Sequence, residues 1–147
     1  MSSHFTLAEL TRTVHPEVQE PPSLQVLASL ETLSADFLEP IRAKFGPLYI
    51  HSAYRSPALN KLVGGVPTSA HCFGAAADFT AVDPQYDVTT ICRWIRDESE
   101  LNYDQCIDET AGGSRWVHLG IPYELHPVAR RQTLVWTGSP PYTIMGK

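Results

Sequence analysis

The stretch that most constrains this chain is residues 69–79, which read SAHCFGAAADF. It places His71 and Asp78 seven residues apart, with Gly74 and a run of alanines between them. Glycine lets the backbone turn, and small side chains let the next segment pack closely. Imidazole and carboxylate are two of the three common zinc ligands in proteins. We therefore expect a turn into a buried strand, with His71 and Asp78 holding a metal and a third ligand coming from elsewhere.

Length and composition indicate one ordinary globular domain over residues 1–147. The chain is 43% apolar and 18% charged, and its net charge of -5 gives no basis for binding nucleic acid or an anionic membrane. No apolar run approaches the roughly 18 residues that span a bilayer. The first residues lack the basic and apolar regions of a Sec signal peptide, so none is expected. We expect a monomer, since nothing requires a dimer.

Four segments have helical patterns. Thr6 and Glu9 form a capping box that predicts a short helix, which with a proline-rich loop makes up residues 1–22. From Ser23, apolar residues recur every three or four positions as far as residue 45, which predicts an amphipathic helix bent or broken near Pro40 and ending at Gly46. We expect a helical turn at residues 58–62. The apolar spacing of residues 88–95 predicts a second amphipathic helix that ends near residue 98. Pro57 argues against regular structure just before that turn.

The strand patterns predict an α+β fold. Residues 48–53 and 75–80 are expected to be strands, and residues 103–109 and 116–119 a β-hairpin around the glycines at 112 and 113. Residues 132–136 predict an edge strand, and 138–147 a loosely ordered tail. Helices would then pack on a small, mainly antiparallel sheet. A doubly wound parallel fold is disfavoured because the late elements form a hairpin.

The hairpin could complete the metal site. Of six histidines, only His71 and His118 combine a strand-end position with small or aromatic neighbours. Two histidines and one aspartate leave a zinc position open for water, as in catalytic sites. Glu109 would be a diagonal neighbour of His118 and could take a proton from that water, and Arg55 could grip a carboxylate or an oxyanion. Taken singly, each of these residues also has an ordinary structural explanation.

The cysteines do not suggest a disulfide framework. Cys72, Cys92 and Cys106 are odd in number and form no CxxC pair. Cys72 adjoins His71, so a soft ligand or a reactive thiol is open, but a buried apolar role is favoured.

Several motifs together resemble the zinc D-Ala-D-Ala carboxypeptidase family, which has the Hedgehog/DD-peptidase fold. The resemblance is closest to its short, phage- and prophage-associated branch and covers roughly residues 4–120. The motifs are SAYRSPALN at 52–60, the glycines at 64–65, SxHxxGxAxDF at 69–79 and WVH at 116–118. The resemblance implies that His71, Asp78 and His118 bind zinc, that Arg55 binds substrate or polarises the scissile carbonyl, and that Ser69 supports the site by hydrogen bonding.

The chain departs from many relatives at the general base. These carry a glutamate three residues before the last zinc ligand, where this chain has Arg115. The branch it resembles more often has a glutamate ending the preceding strand, which here is Glu109. Asp108 is the second candidate, although strand alternation should point it to the opposite face.

The resemblance implies a zinc metallopeptidase that cuts an amide bond in peptidoglycan stem peptides or cross-links. The bond could be D-Ala-D-Ala, a D-Ala to diamino-acid cross-link or L-Ala-D-Glu. A phage lysis enzyme released to the cell wall and a virion component both fit the expected lack of a signal peptide. The alternative is a phage structural or cell-wall-binding module that keeps the fold and metal without activity, which the arginine at position 115 favours.

Overall fold

A computed structural model describes residues 1–146. The helices are α1 (Leu7–Thr11), α2 (Leu24–Thr32), α3 (Glu39–Phe45), α4 (Pro57–Leu62) and α5 (Val88–Asp97), with a π-helical segment at Leu33–Leu38 and a 3-10 helix at Ala70–Phe73. The strands are β1 (Leu48–Ser52), β2 (Ala76–Ala81), β3 (Gln105–Ala111), β4 (Ser114–Gly120), β5 (Gln132–Trp136) and β6 (Thr143–Ile144). The predicted α+β class is confirmed. The more specific fold name and the domain limits stay predictions.

The long N-terminal helix is continuous but changes type before its proline. The α2 segment passes into the π-helical segment, and Pro40 lies in the first turn of α3. The N–H of Glu39 donates to the carbonyl of Ser34, five residues back. A proline ring has no N–H and clashes with the carbonyl four residues earlier, and a wider turn relieves that clash. The distortion therefore precedes Pro40, and the helix ends at Gly46 as predicted.

The other helix predictions hold, with one correction. Thr6 caps α1 by accepting the N–H of Glu9, and Asp87 caps α5. Pro57 does not exclude regular structure, because it is the first residue of α4 after the Ser56 cap. A proline fits there because the first helical N–H has no partner inside the helix.

One mixed sheet with the order β1-β2-β4-β3-β5-β6 carries the fold. The predicted hairpin pairs β3 with β4, and among the strands of residues 1–146 only the β3–β5 pair is parallel. The prediction that residues 132–136 form an edge strand is wrong: β5 pairs with β3 on one side and β6 on the other. The long connection after β4 lets β5 run parallel to β3, and the edge passes to the two-residue β6.

The two faces of the sheet have different roles. On one face, Cys106, Val117 and Leu119 are buried in the core, and α5 packs against β3 and β4. The other face carries Asp78, Glu109 and His118 and borders an open cleft. No helix within residues 1–146 is long and apolar enough to cross a membrane.

The described part of the C-terminal tail, whose composition predicts a loosely ordered segment, makes several contacts with the rest of the fold. Met145 is buried, and its N–H donates to the carbonyl of Thr133 at 3.0 Å. Arg96 donates to the carbonyls of Met145 and Gly146. Lys147 lies outside the described residues.

Candidate metal centre and cleft

Two of the candidate ligands face each other across neighbouring strands. Asp78 of β2 and His118 of β4 are register partners in an antiparallel pair. Nδ1 of His118 lies 2.8 Å from Oδ1 of Asp78. The alanines before Asp78 are both fully buried: Ala76 shares its face of β2 and pairs with Gly120, and Ala77 points into the core.

The third candidate, His71, is held in the 3-10 helix. Ser69 caps that helix, and its Oγ accepts the N–H of His71 at 3.3 Å. Nδ1 of His71 donates to the carbonyl of Ala53 at 2.6 Å. The Nδ1–H tautomer leaves Nε2 with a free lone pair, and Nε2 lies 3.4 Å from Oδ1 of Asp78. The side chain is 2% exposed, so its orientation is set by packing and by this hydrogen bond.

Gly74 ends the 3-10 helix and cannot be replaced without strain. Its φ of +69° lies in the left-handed region, which favours glycine. A Cβ atom at this position would stand 2.7 Å from the carbonyl oxygen of Val26 in α2. The glycine between the two ligands therefore lets the chain reverse against α2 and enter β2.

The three side chains form a group that could hold a metal ion. One ligand atom from each of His71, Asp78 and His118 lies within 4.8 Å of the other two. The donor set fits a divalent transition metal, because two imidazole nitrogens and a carboxylate oxygen converge and Ala53 orients one imidazole from behind. Cys72 does not belong to this group; it is half-buried, and burial raises the pKa of its thiol.

The charge balance keeps Asp78 ionised. Burial disfavours its charged form, but the neighbouring His71 and His118 outweigh this and hold the pKa of the carboxyl well below its usual range. Burial lowers the pKa of His71. Burial also acts to lower the pKa of His118, but the contact with Asp78 outweighs it and raises that pKa. The site thus presents a carboxylate to both rings.

Glu109 reaches the same cleft from β3. It is the register partner of Trp116, which makes it a diagonal neighbour of His118 on the same face, as the alternation predicted. Burial raises the pKa of Glu109, and the charge of Asp78 adds to the rise. The Trp116 indole acts in the opposite direction, because it favours the charged form of Glu109. Its buried Nε1 nevertheless has no hydrogen-bond partner of ordinary geometry among residues 1–146.

Asp108 and Arg115 lie on the opposite face. Nε and Nη2 of Arg115 donate to the two carboxylate oxygens of Asp108 at 2.8 and 2.6 Å. Thr89 of α5 also donates to Asp108. Asp108 is therefore engaged in a structural pair away from the metal group.

Arg55 lines the boundary between two clefts. Its backbone N–H donates to the carbonyl of His71 at 3.1 Å, which ties Arg55 directly to the 3-10 helix that carries His71. Its side chain borders the main cleft and a second, smaller one beside α1. Nε of Arg55 is buried and has no hydrogen-bond partner among the described residues.

The main cleft has a volume of about 430 Å³ and brings together Arg55, Ser69, His71, Asp78, Glu109 and His118. Its wall also holds residues that the sequence analysis did not single out: Asp104, Tyr123, Arg130 and Tyr142. Asp104 is buried and accepts two hydrogen bonds of 2.7 Å from the Arg130 guanidinium. No local pattern marks Tyr123, Arg130 or Tyr142, because they reach the cleft through the connection after β4 and through the tail, whereas Asp104 lies directly before β3.

Comparison with known proteins agrees with this geometry. Residues 3–119 match the Peptidase M15 family, and no curated protein matches the chain. The matched range contains all three candidate metal ligands, Glu109 and Arg55. Peptidases of this family are metal-dependent. The chain therefore belongs to the Peptidase M15 family.

Proposed function

We propose that this protein is a zinc metallopeptidase that hydrolyses an amide bond in peptidoglycan stem peptides or cross-links, as a carboxypeptidase or endopeptidase of the D-Ala-D-Ala type. The observation that carries the proposal is the convergence of His71, Asp78 and His118 with Glu109 in one open cleft. Family membership supports peptidase chemistry, and the sequence resemblance supports the substrate class.

His71, Asp78 and His118 would hold the zinc ion. When bound, zinc supplies a Lewis acid that activates water and the amide carbonyl. Two neutral imidazoles and one carboxylate leave a net charge of about +1 around zinc, which favours that chemistry. The hydrogen bond to Ala53 keeps His71 in the tautomer that ligation requires.

Glu109 is the proposed general base. It would take a proton from the attacking water as the oxygen adds to the carbonyl carbon, and would pass the proton to the amine nitrogen as the C–N bond breaks. Burial and the nearby Asp78 charge raise its pKa, which makes it a better proton acceptor than an exposed glutamate. Its place on the cleft face supports this role, whereas Asp108 is paired with Arg115 on the other face.

Arg55 is the proposed substrate-binding residue. A buried N–H without an acceptor costs about 1–3 kcal/mol, so a site that leaves one unpaired gains when a ligand oxygen reaches it. Nε of Arg55 is such a group. We assign to it a substrate carboxylate or the developing oxyanion. Ser69 would support the site through its bond to the His71 backbone.

The resemblance supports a biological setting in phage or prophage lysis, with the enzyme acting on the cell wall after release. The alternative is a virion or wall-binding module that keeps the metal without activity. The observation in its favour is Arg115, which occupies the place where many relatives have the base. Glu109 in the cleft argues for the enzyme.

One experiment separates the two functions. Purified protein would be assayed for bound metal and incubated with peptidoglycan, and the released muropeptides would be identified by mass spectrometry. We expect about one equivalent of zinc, one type of cleaved bond, and loss of cleavage after chelation that added zinc reverses. We expect Glu109→Gln to lower kcat by about 10²–10⁴-fold with the metal retained.

The matched control is Glu31→Gln, which changes an exposed glutamate on α2 away from the cleft. It should leave cleavage unchanged. If the wild type binds zinc but releases no fragment from peptidoglycan, and Glu109→Gln behaves like the wild type in both measurements, the binding module is the correct function instead.

A further inference from the structure

We propose that Tyr142, on the C-terminal segment, binds the substrate beside Glu109 and helps determine specificity. The inference rests on the proposed function, because it adds a residue to that cleft. Tyr142 lies outside the range that matches the family, residues 3–119. Neither the motifs nor the family match pointed to it.

The first support is a row of side chains across the sheet. Glu109 of β3 is the register partner of Trp116 in β4 and of Trp136 in β5. The Tyr142 ring packs on Trp136 with ring centroids 4.5 Å apart. Trp116, Glu109, Trp136 and Tyr142 therefore follow one another across four neighbouring segments. The proposed base is flanked by aromatic rings on both sides.

The second support is the way the segment is held. Thr143 pairs with Val135, and Ile144 pairs with Leu134, which extends the sheet up to the residue after Tyr142. Met145 is buried in the core, and the Arg96 guanidinium binds the carbonyl of Met145. These contacts fix a segment whose composition alone would leave it loose. The ring of Tyr142 is thereby held at the cleft wall.

The third support is the exposure of the ring at that wall. Tyr142 is 51% exposed, although a tyrosine gains most from burying its ring. Tyr142 and Glu109 line the same cleft, and burial together with the charge of Glu109 raises the pKa of Tyr142. An aromatic ring that is rigid and half open in a polar cleft is the kind of group that contacts a ligand. We assign its face to substrate carbon atoms next to the scissile amide and its hydroxyl to one substrate hydrogen bond.

The test compares Tyr142→Phe, Tyr142→Ala and the control Ile144→Ala on a soluble stem-peptide substrate. Ile144 lies two residues further along the same segment, is 86% exposed and does not border the cleft. Loss of the ring should raise KM about tenfold or more. An aromatic contact and the burial of its ring contribute more binding free energy than a tenfold change in affinity requires. Loss of the hydroxyl alone should raise KM about 2- to 10-fold. In both variants kcat should stay within about threefold, because a uniform binding contact acts on KM.

Metal content and Tm are measured in parallel, so that a misfolded variant is recognised. Tyr142→Phe keeps the ring packed on Trp136 and serves if Tyr142→Ala proves unstable. If wild-type protein cleaves the substrate and both Tyr142 variants keep the wild-type KM, the inference is wrong while the proposed function stands. An equal effect of Ile144→Ala would also overturn it, because the segment rather than the ring would then be responsible. If wild-type protein neither binds nor cleaves stem peptides, the proposed function fails and this inference fails with it.

Discussion

Arg115 allows a direct test of which face of the β3–β4 hairpin carries the proposed catalytic residues. We predict that Arg115→Glu, which restores a glutamate three residues before His118, destabilises the protein and brings no gain in peptidase activity. The reason is that residue 115 faces α5, where its guanidinium holds Asp108. A glutamate in its place would face that carboxylate and not the cleft.

The magnitude follows from the exposure of the two partners. The Asp108 side chain is 6% exposed and that of Arg115 is 47% exposed. Removing one partner of a buried ion pair costs about 3–5 kcal/mol, and the half-exposed guanidinium reduces this to about 2 kcal/mol for Arg115→Ala. Repulsion between Asp108 and a new glutamate adds about 1 kcal/mol. A loss of about 3 kcal/mol lowers Tm by about 6–12 °C in a domain of this size.

Urea unfolding of the wild type, Arg115→Ala, Arg115→Glu, Asp108→Asn and the Arg115→Ala/Asp108→Asn double variant would measure these values. The double variant should cost less than the sum of the singles by at least about 1 kcal/mol, because each single change removes the same contact. Lys61→Ala, which removes an exposed cation on α4, is the control and should stay within about 0.5 kcal/mol. An Arg115→Glu protein that is as stable as the wild type and more active would refute the face assignment.

Two further predictions concern local structure. Gly74→Ala should lower the free energy of unfolding by about 2 kcal/mol or more and weaken metal binding, because a Cβ at positive φ strains the backbone and meets the Val26 carbonyl next to the turn that holds His71; unchanged urea midpoint and metal content would contradict it. Asp87→Ala should cost about 1 kcal/mol at pH 7 by removing the α5 cap. The N–H of Thr90 lowers the pKa of Asp87, so the stabilisation is present above the unfolded pKa of about 4 and is lost as the pH falls through the lower folded value; a difference between the variants that does not shrink in thermal unfolding below pH 4 would count against this cap.

Local patterns predicted those parts of the fold whose cause is local. Thr6, Ser23 and Gly46 mark helix ends through contacts within one or two turns, and each lies where the structure begins or ends a helix. The hairpin of β3 and β4 depends on a short turn between alternating strands, which is again local. Its register, Glu109 against Trp116, follows once the turn is placed.

Local patterns could not predict how the segments after β4 pair in the sheet. The parallel pairing of β5 with β3 joins segments separated by a long loop, and β6 is too short to have a periodicity of its own. Their pairing is decided by which edge of the sheet is open when the core has formed. For the same reason Arg130 and Tyr142 came to the cleft without any signal in their neighbouring residues.

The sequence by itself determined which side chains are available to this protein: His71, Asp78 and His118 as candidate metal ligands, and a glutamate one strand away. Ligand types and strand alternation are properties of residues and of short segments. Only the tertiary structure decided that these atoms lie within 4.8 Å of each other, that Ala53 orients His71, and that Arg115 pairs with Asp108 on the face away from the cleft. These are contacts between distant segments, and they exist only when the sheet and helices pack together.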